Sequence, residues 1–186
     1  MTAVTHAGRP VTEARQTSLG LYVTAKEAYA MWQADPVHVK VLDVRTPEEW
    51  VFTGHAPMAT NIPFAFLAYE WDTDKQGFPW ELNPAFVDLV SQRFTRGDTI
   101  LLSCRSGGRA ALAIDALAEV GFTRIYNILD GMEGSKVGDP DSVFHGMRLK
   151  NGWKASGMPW TYDLDPAQME LPARPTGTLH PGNAED

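Results

Sequence analysis

The sequence predicts an α/β domain on a central, mainly parallel sheet with helices on both faces. Two observations carry this prediction. Short apolar runs, "VHVKVLDV" at 37–44, "DTILLS" at 98–103 and "RIYNIL" at 124–129, alternate with segments of helical character. Such alternation gives parallel strands joined by helical crossovers. A chain of 186 residues with 44% hydrophobic content is also long enough to bury one core.

Each element follows from local signals. Residues 1–19 are polar, small and without period, and are expected to be loose. Thr24, with Glu27 three residues on, forms a capping box that opens a helix, and Pro36 stops it. After the strand at 37–44, Thr46 caps a second, short helix with Pro47 at its first position and Glu49 at its third, and Gly54 ends it. A brief strand is expected near Ala59–Ile62. The stretch 64–82 is aromatic and turn-rich, with Tyr69, Trp71, Phe78 and Trp80 around an acidic tip at Asp72 and Asp74. Asn83 and Pro84 open a third helix that closes near Gly97, and the strand 98–103 leads into a fourth helix ending at Gly121. Beyond Asp130 the periodicity fades, and from Asp163 four prolines (166, 172, 175 and 181) mark an extended tail.

Composition excludes several function classes. A formal charge of −7 argues against nucleic acid, which demands concentrated cation. No apolar stretch approaches the roughly 18 residues that span a bilayer. The N-terminus lacks the apolar core of a secretory signal, so a cytoplasmic location is expected. The five histidines (6, 38, 55, 145 and 180) show no ligand spacing, and "GDPD" reads as a turn, so neither metal nor cofactor is expected. One cysteine leaves no intramolecular disulfide and no internal resolving thiol.

That cysteine, Cys104, stands at the carboxyl end of the strand 98–103, where open parallel sheets bind ligands. Three features of "CRSGGRA" suit a nucleophilic sulfur. The backbone N–H groups of Arg105, Ser106, Gly107, Gly108 and Arg109 can curl into a nest around it. The following helix directs its positive end at it. Arg105 and Arg109 add fixed charge, while the two glycines permit a tight turn. An anion presented to the sulfur would be held by the same cradle. The competing reading, a buried cysteine kept for packing, leaves the two arginines and two glycines without a purpose.

"CRSGGRA", with "LDVRTPEEW" and "GHAPMATNIPF" upstream and "GFTRIYNILDGMEG" downstream, resembles the single-domain rhodaneses, or thiosulfate sulfurtransferases, over residues 20–160. The resemblance implies a rhodanese-like fold with a five-stranded sheet, a single domain over 20–162 and insertions near 64–82 and 136–151. It implies that Cys104 carries a persulfide inside the loop 105–109, with Asp43, Arg45 and His55 as loop support. Asp43 and Arg45 are better read as a structural ion pair than as catalytic groups.

Loop length then separates two chemistries on this scaffold. Cys104 to Arg109 makes a loop of six residues. The related phosphatase pattern is one residue longer and makes a ring wide enough for a tetrahedral phosphate, whereas the shorter ring fits one sulfur atom. The implied reaction is covalent. The thiolate attacks the outer sulfur of thiosulfate or another sulfane donor, sulfite leaves, and cyanide, a small thiol or a protein thiol removes the sulfur. A protein-to-protein persulfide carrier, a phosphatase or arsenate-type enzyme and a binding module with an idle cysteine are the alternatives. The family's usual Gly-Trp pairing becomes "GMEG" here, which puts the pocket wall at Gly131–Gly134 in question. Trp71, Trp80, Phe144, Met147 and Trp153 are expected to make a satellite core under the two insertions.

Overall fold

The computed structural model describes residues 5–171. Its strands are β1 (Thr5–His6), β2 (Arg9–Pro10), β3 (Tyr22–Val23), β4 (Val39–Asp43), β5 (Ala59–Asn61), β6 (Ala65–Leu67), β7 (Trp80–Leu82), β8 (Thr99–Ser103) and β9 (Ile125–Ile128). The helices are α1 (Ala25–Ala34), α2 (Pro47–Thr53), α3 (Phe86–Arg93) and α4 (Gly108–Glu119). Five strands form one sheet in the order β3-β9-β8-β4-β5, every neighbouring pair parallel.

The alternation of side chains along the strands divides the core into two layers. Leu42, Ile100, Leu102 and Ile125 pack on one face against Phe86 and Val90 of α3 and Ala110, Ile114 and Leu117 of α4. Val39, Val41, Leu101 and Ile128 pack on the other against Ala25 and Ala28 of α1 and Trp50 of α2. Helices therefore cover both faces, as the alternation predicts.

Both capping boxes form: the Thr24 and Thr46 hydroxyls accept from the N–H groups of Glu27 and Glu49, and each glutamate reaches back to its cap. The third helix is shorter than the sequence suggests. It starts at Phe86 because Asn83 accepts from the N–H of Ala85 and holds the preceding turn, and it ends before Gly97. β3, only two residues long, was not expected as a separate strand.

Residues 5–19 carry defined structure rather than the loose segment expected. β1 and β2 form an antiparallel ribbon, Glu13–Arg15 a turn of 3₁₀ helix, and Val11 is buried. Their polar groups find partners on the domain: Ser18 donates to Asp115 of α4, and Asn127 of β9 donates to the Arg15 carbonyl. Residues 163–171, expected to begin an extended tail, run beside β5, where Met169 pairs with Asn61 and the N–H of Glu170 donates to the Asn61 carbonyl. They cover a sheet edge that would otherwise present unpaired backbone groups. Pro172, Pro175, Pro181 and His180 lie outside the described residues. Among the described residues, no helix is long and apolar enough to cross a membrane.

The expected satellite core does not form as such. Trp153 is buried with the α1 and α2 layer, but Trp71, Trp80, Phe144 and Met147 stay about half exposed. The stretch 64–82 folds into the two-stranded ribbon β6–β7, which has too few strands to bury both of its faces.

Candidate active site

β8 delivers Cys104 to the carboxyl edge of the sheet, with Ser103 in register opposite Asp43 of β4. The cysteine is 2% exposed and packs into the α3 and α4 layer, yet it also lines a pocket of about 180 Å³ with Trp80, Arg105, Ser106, Gly108 and Arg109. The N–H of Gly107 points at the sulfur, 3.2 Å from Sγ. Gly107 caps the 12-residue α4 with φ +93°, a conformation that side chains resist, so the glycine is required for the turn. A Cβ there would also lie 2.6 Å from the Leu129 carbonyl oxygen. The sulfur thus faces the amino end of α4.

The two arginines do not play equal parts. Arg105 is exposed at the mouth. Arg109 turns to Glu49 instead, donating from both terminal nitrogens to the two carboxylate oxygens at 2.6 Å. Burial works against its charge, but the hydrogen bonds and charge of Glu49 outweigh this, with Cys104 and Asp43 adding to them, and hold the guanidinium above its ordinary pKa. Burial likewise favours protonation of Glu49, and Arg109, the Thr46 N–H and Arg45 overcome it to hold the carboxyl below its ordinary value. The face of the Arg109 guanidinium lies under the Trp80 ring, 4.4 Å from its centroid.

Glu49 was legible in the sequence only as a capping residue; it both caps α2 and anchors the loop arginine 60 positions away. Asn127 was also missed. Its amide donates to the Gly107 carbonyl at 3.1 Å, tying β9 to the back of the loop. Neither role carries a local sequence signal, because the partners meet only through the sheet order.

Asp43 and Arg45 form a fully buried pair at the end of β4, with Arg45 Nη2 2.7 Å from Asp43 Oδ2. The remaining guanidinium groups donate to the Thr53 hydroxyl and the Gly54 carbonyl, so β4 is bound to the end of α2. Asn61 donates to the carbonyls of Asp43 and Arg45 and completes that corner. His55 is stacked on Trp50 with ring centroids 3.7 Å apart. Burial lowers its pKa, so the imidazole is held neutral. None of these three lines the cysteine pocket.

Gly131–Gly134, expected as a pocket wall, does not line the cysteine pocket but braces the loop from behind. Met132 donates its N–H to the Cys104 carbonyl, and Glu133 and Gly134 donate theirs to the Arg105 carbonyl. Gly131 permits this approach: at φ +56°, a Cβ would lie 2.5 Å from the Cys104 carbonyl oxygen. Trp153 and Lys154 then donate to the carbonyls of Gly131 and Met132. Asp130 accepts from the N–H groups of Ala25 and Gly152 and fixes both ends of the clamp.

This geometry can be set beside known proteins. Residues 24–136 match the family model described as the rhodanese-like domain. The chain is 37% identical over 92 residues to thiosulfate sulfurtransferase 16, chloroplastic, of Arabidopsis thaliana, covering 50% of this chain and 69% of that protein. It is 36% identical to the senescence-associated protein DIN1 of Raphanus sativus, where the match spans 45% of the relative's length. Among solved structures, Rv0390 from M. tuberculosis superposes with a TM-score of 0.58 at 28% identity, covering 76% of this chain and 96% of that one. The rhodanese-like domain of the Anabaena protein Alr3790 gives 0.51 at 16% identity, a likeness of fold alone. On the match over residues 24–136 and the five-stranded sheet that carries it, the chain belongs to the rhodanese-like domain family.

Proposed function

We propose that this protein is a sulfurtransferase that carries sulfur as a persulfide on Cys104. The observation behind this reading is the pocket itself: a lone thiol among its lining residues, the Gly107 N–H at 3.2 Å and a six-residue loop from Cys104 to Arg109. The name of the Arabidopsis relative supports the same chemistry.

The Cys104 thiolate attacks the outer sulfur of thiosulfate or a similar sulfane donor. The donor's S–S bond breaks, its electron pair leaves with sulfite, and a bond forms from Sγ to the transferred sulfur. The persulfide lies among the amides at the amino end of α4, where a negative sulfur is stabilised. Cyanide, a small thiol or a protein thiol then removes it. Asp43, Arg45 and His55 support the loop from outside the pocket, and Arg105, exposed and free of a carboxylate partner among the described residues, draws the anionic donor in. With a ring of six, a transferred sulfur fits better than a tetrahedral phosphate or arsenate.

Steady-state formation of thiocyanate from thiosulfate and cyanide tests the reading. The expected result is turnover that Cys104→Ser abolishes and a several-fold higher KM for thiosulfate in Arg105→Ala, with a smaller change in kcat. Turnover that survives Cys104→Ser would overturn the reading. The exposed Trp71–Phe78 pair, in the loop that joins β6 to β7, favours a second form of it, a carrier that hands sulfur to a protein thiol. A persulfide that forms with negligible thiocyanate turnover identifies that form.

A further inference from the structure

We infer that Trp80 is a selectivity wall of the cysteine pocket, admitting small inorganic sulfur donors to Cys104 and keeping out organic thiosulfonates. This rests on the sulfur-transfer reading given above.

Five of the pocket's lining residues belong to the cysteine loop; Trp80 comes from the ribbon β6–β7 and closes one side. The pocket, about 180 Å³ and open to solvent at its mouth, falls below the roughly 300–1,000 Å³ of sites for drug-sized ligands. A donor as small as thiosulfate can bring its outer sulfur to Cys104 through such a mouth, whereas an aryl group beside the reacting sulfur has to displace the indole.

The indole is held where it stands. Glu49 takes the terminal nitrogens of Arg109, and the indole covers the guanidinium face at 4.4 Å. Arg109 therefore cannot swing aside without leaving a carboxylate that it meets at 2.6 Å. All three residues of β7 are exposed, so the ribbon is not buried in the domain at this point. It is pinned at its base by Asn83, which donates to the carbonyls of Pro63 and Phe64. The stack on Arg109 is what sets the indole against the mouth.

The two donor classes react alike at the reacting atoms. Thiolate and thiosulfate give persulfide and sulfite; thiolate and benzenethiosulfonate give persulfide and benzenesulfinate. In each case one S–S bond breaks, one forms, and the electron pair leaves with the oxidised sulfur group. The donors differ in the bulk beside the reacting sulfur and in charge, thiosulfate being a dianion and benzenethiosulfonate a monoanion; the Trp80 variants change no charge, so a change in the ratio between them reports bulk.

The experiment measures kcat/KM for benzenethiosulfonate and for thiosulfate, with cyanide as acceptor, in the wild type, Trp80→Ala and Trp80→Phe. The alanine variant is expected to raise the ratio of the bulky to the small donor by about tenfold or more, the scale on which a pocket discriminates by size. The phenylalanine variant, which keeps a ring over Arg109, is expected to return the ratio toward the wild-type value. An unchanged ratio in Trp80→Ala, a parallel loss with both donors, or a Trp80→Phe that matches the alanine variant overturns the inference. A wild type that takes sulfur from neither donor overturns the sulfur-transfer reading itself, and the inference falls with it.

Discussion

At the scale of single residues, Glu49 holds the arginine that closes the cysteine loop. Replacing it by glutamine strands a mostly buried guanidinium, and the expected cost is about 1–3 kcal/mol in a urea denaturation at pH 7. The pair also carries a pH signature. Burial raises the Glu49 pKa, yet Arg109 and its other partners hold it below the ordinary 4.5, so on acidification the unfolded chain takes up the proton first. The stabilisation is therefore full above 4.5 and is lost as pH falls through the lowered value in the folded state. The stability gap between wild type and Glu49→Gln is expected to narrow in denaturation curves taken below pH 4.5. His55 has the same sign for a different reason. Burial keeps its imidazole neutral in the fold while the unfolded residue protonates below 6.5, so it contributes a loss of stability as pH drops below that value. The slope of stability against pH between 6.5 and 5 is expected to flatten in His55→Gln.

At the scale of elements, the cysteine loop is a turn held from behind by backbone. The segment 131–134 donates three N–H groups to the carbonyls of Cys104 and Arg105, and the segment 152–154 holds that segment in turn. Gly131→Ala forces a Cβ against the Cys104 carbonyl in a left-handed backbone conformation. A loss of about 1–3 kcal/mol is expected, with a fall in kcat because the loop itself is displaced. A kcat equal to wild type in this variant would show that the clamp does not shape the loop. Thr46→Ala removes the cap of α2 and is expected to cost about 1 kcal/mol by thermal unfolding. The contrast between these elements explains what the sequence made legible. Thr46, Pro47 and Glu49 announce α2 because capping is local, and "TILLS" followed by "CRSGGR" announces β8, the turn and α4 for the same reason. The clamp, the Glu49–Arg109 pair and the Asn127 bond join segments 20 or more positions apart in sequence. β3 is two residues long and leaves too little pattern to find.

At the scale of the whole molecule, the order β3-β9-β8-β4-β5 puts β8 at the centre with β4 and β9 beside it, so the carboxyl ends of all three meet at the cysteine. The buried Asp43–Arg45 pair, the loop and the 131–134 clamp lie at the ends of those strands, in the position where open parallel sheets hold their ligands. The ribbon β6–β7 adds Trp80 from outside that frame. We propose that this arrangement holds one sulfur atom on Cys104. Intact mass spectrometry after incubation with thiosulfate, followed by cyanide, tests it most directly. The wild type is expected to gain a single sulfur, absent in Cys104→Ser and released by cyanide as thiocyanate. A wild-type protein that gains no sulfur from thiosulfate or from any other sulfane donor would contradict it.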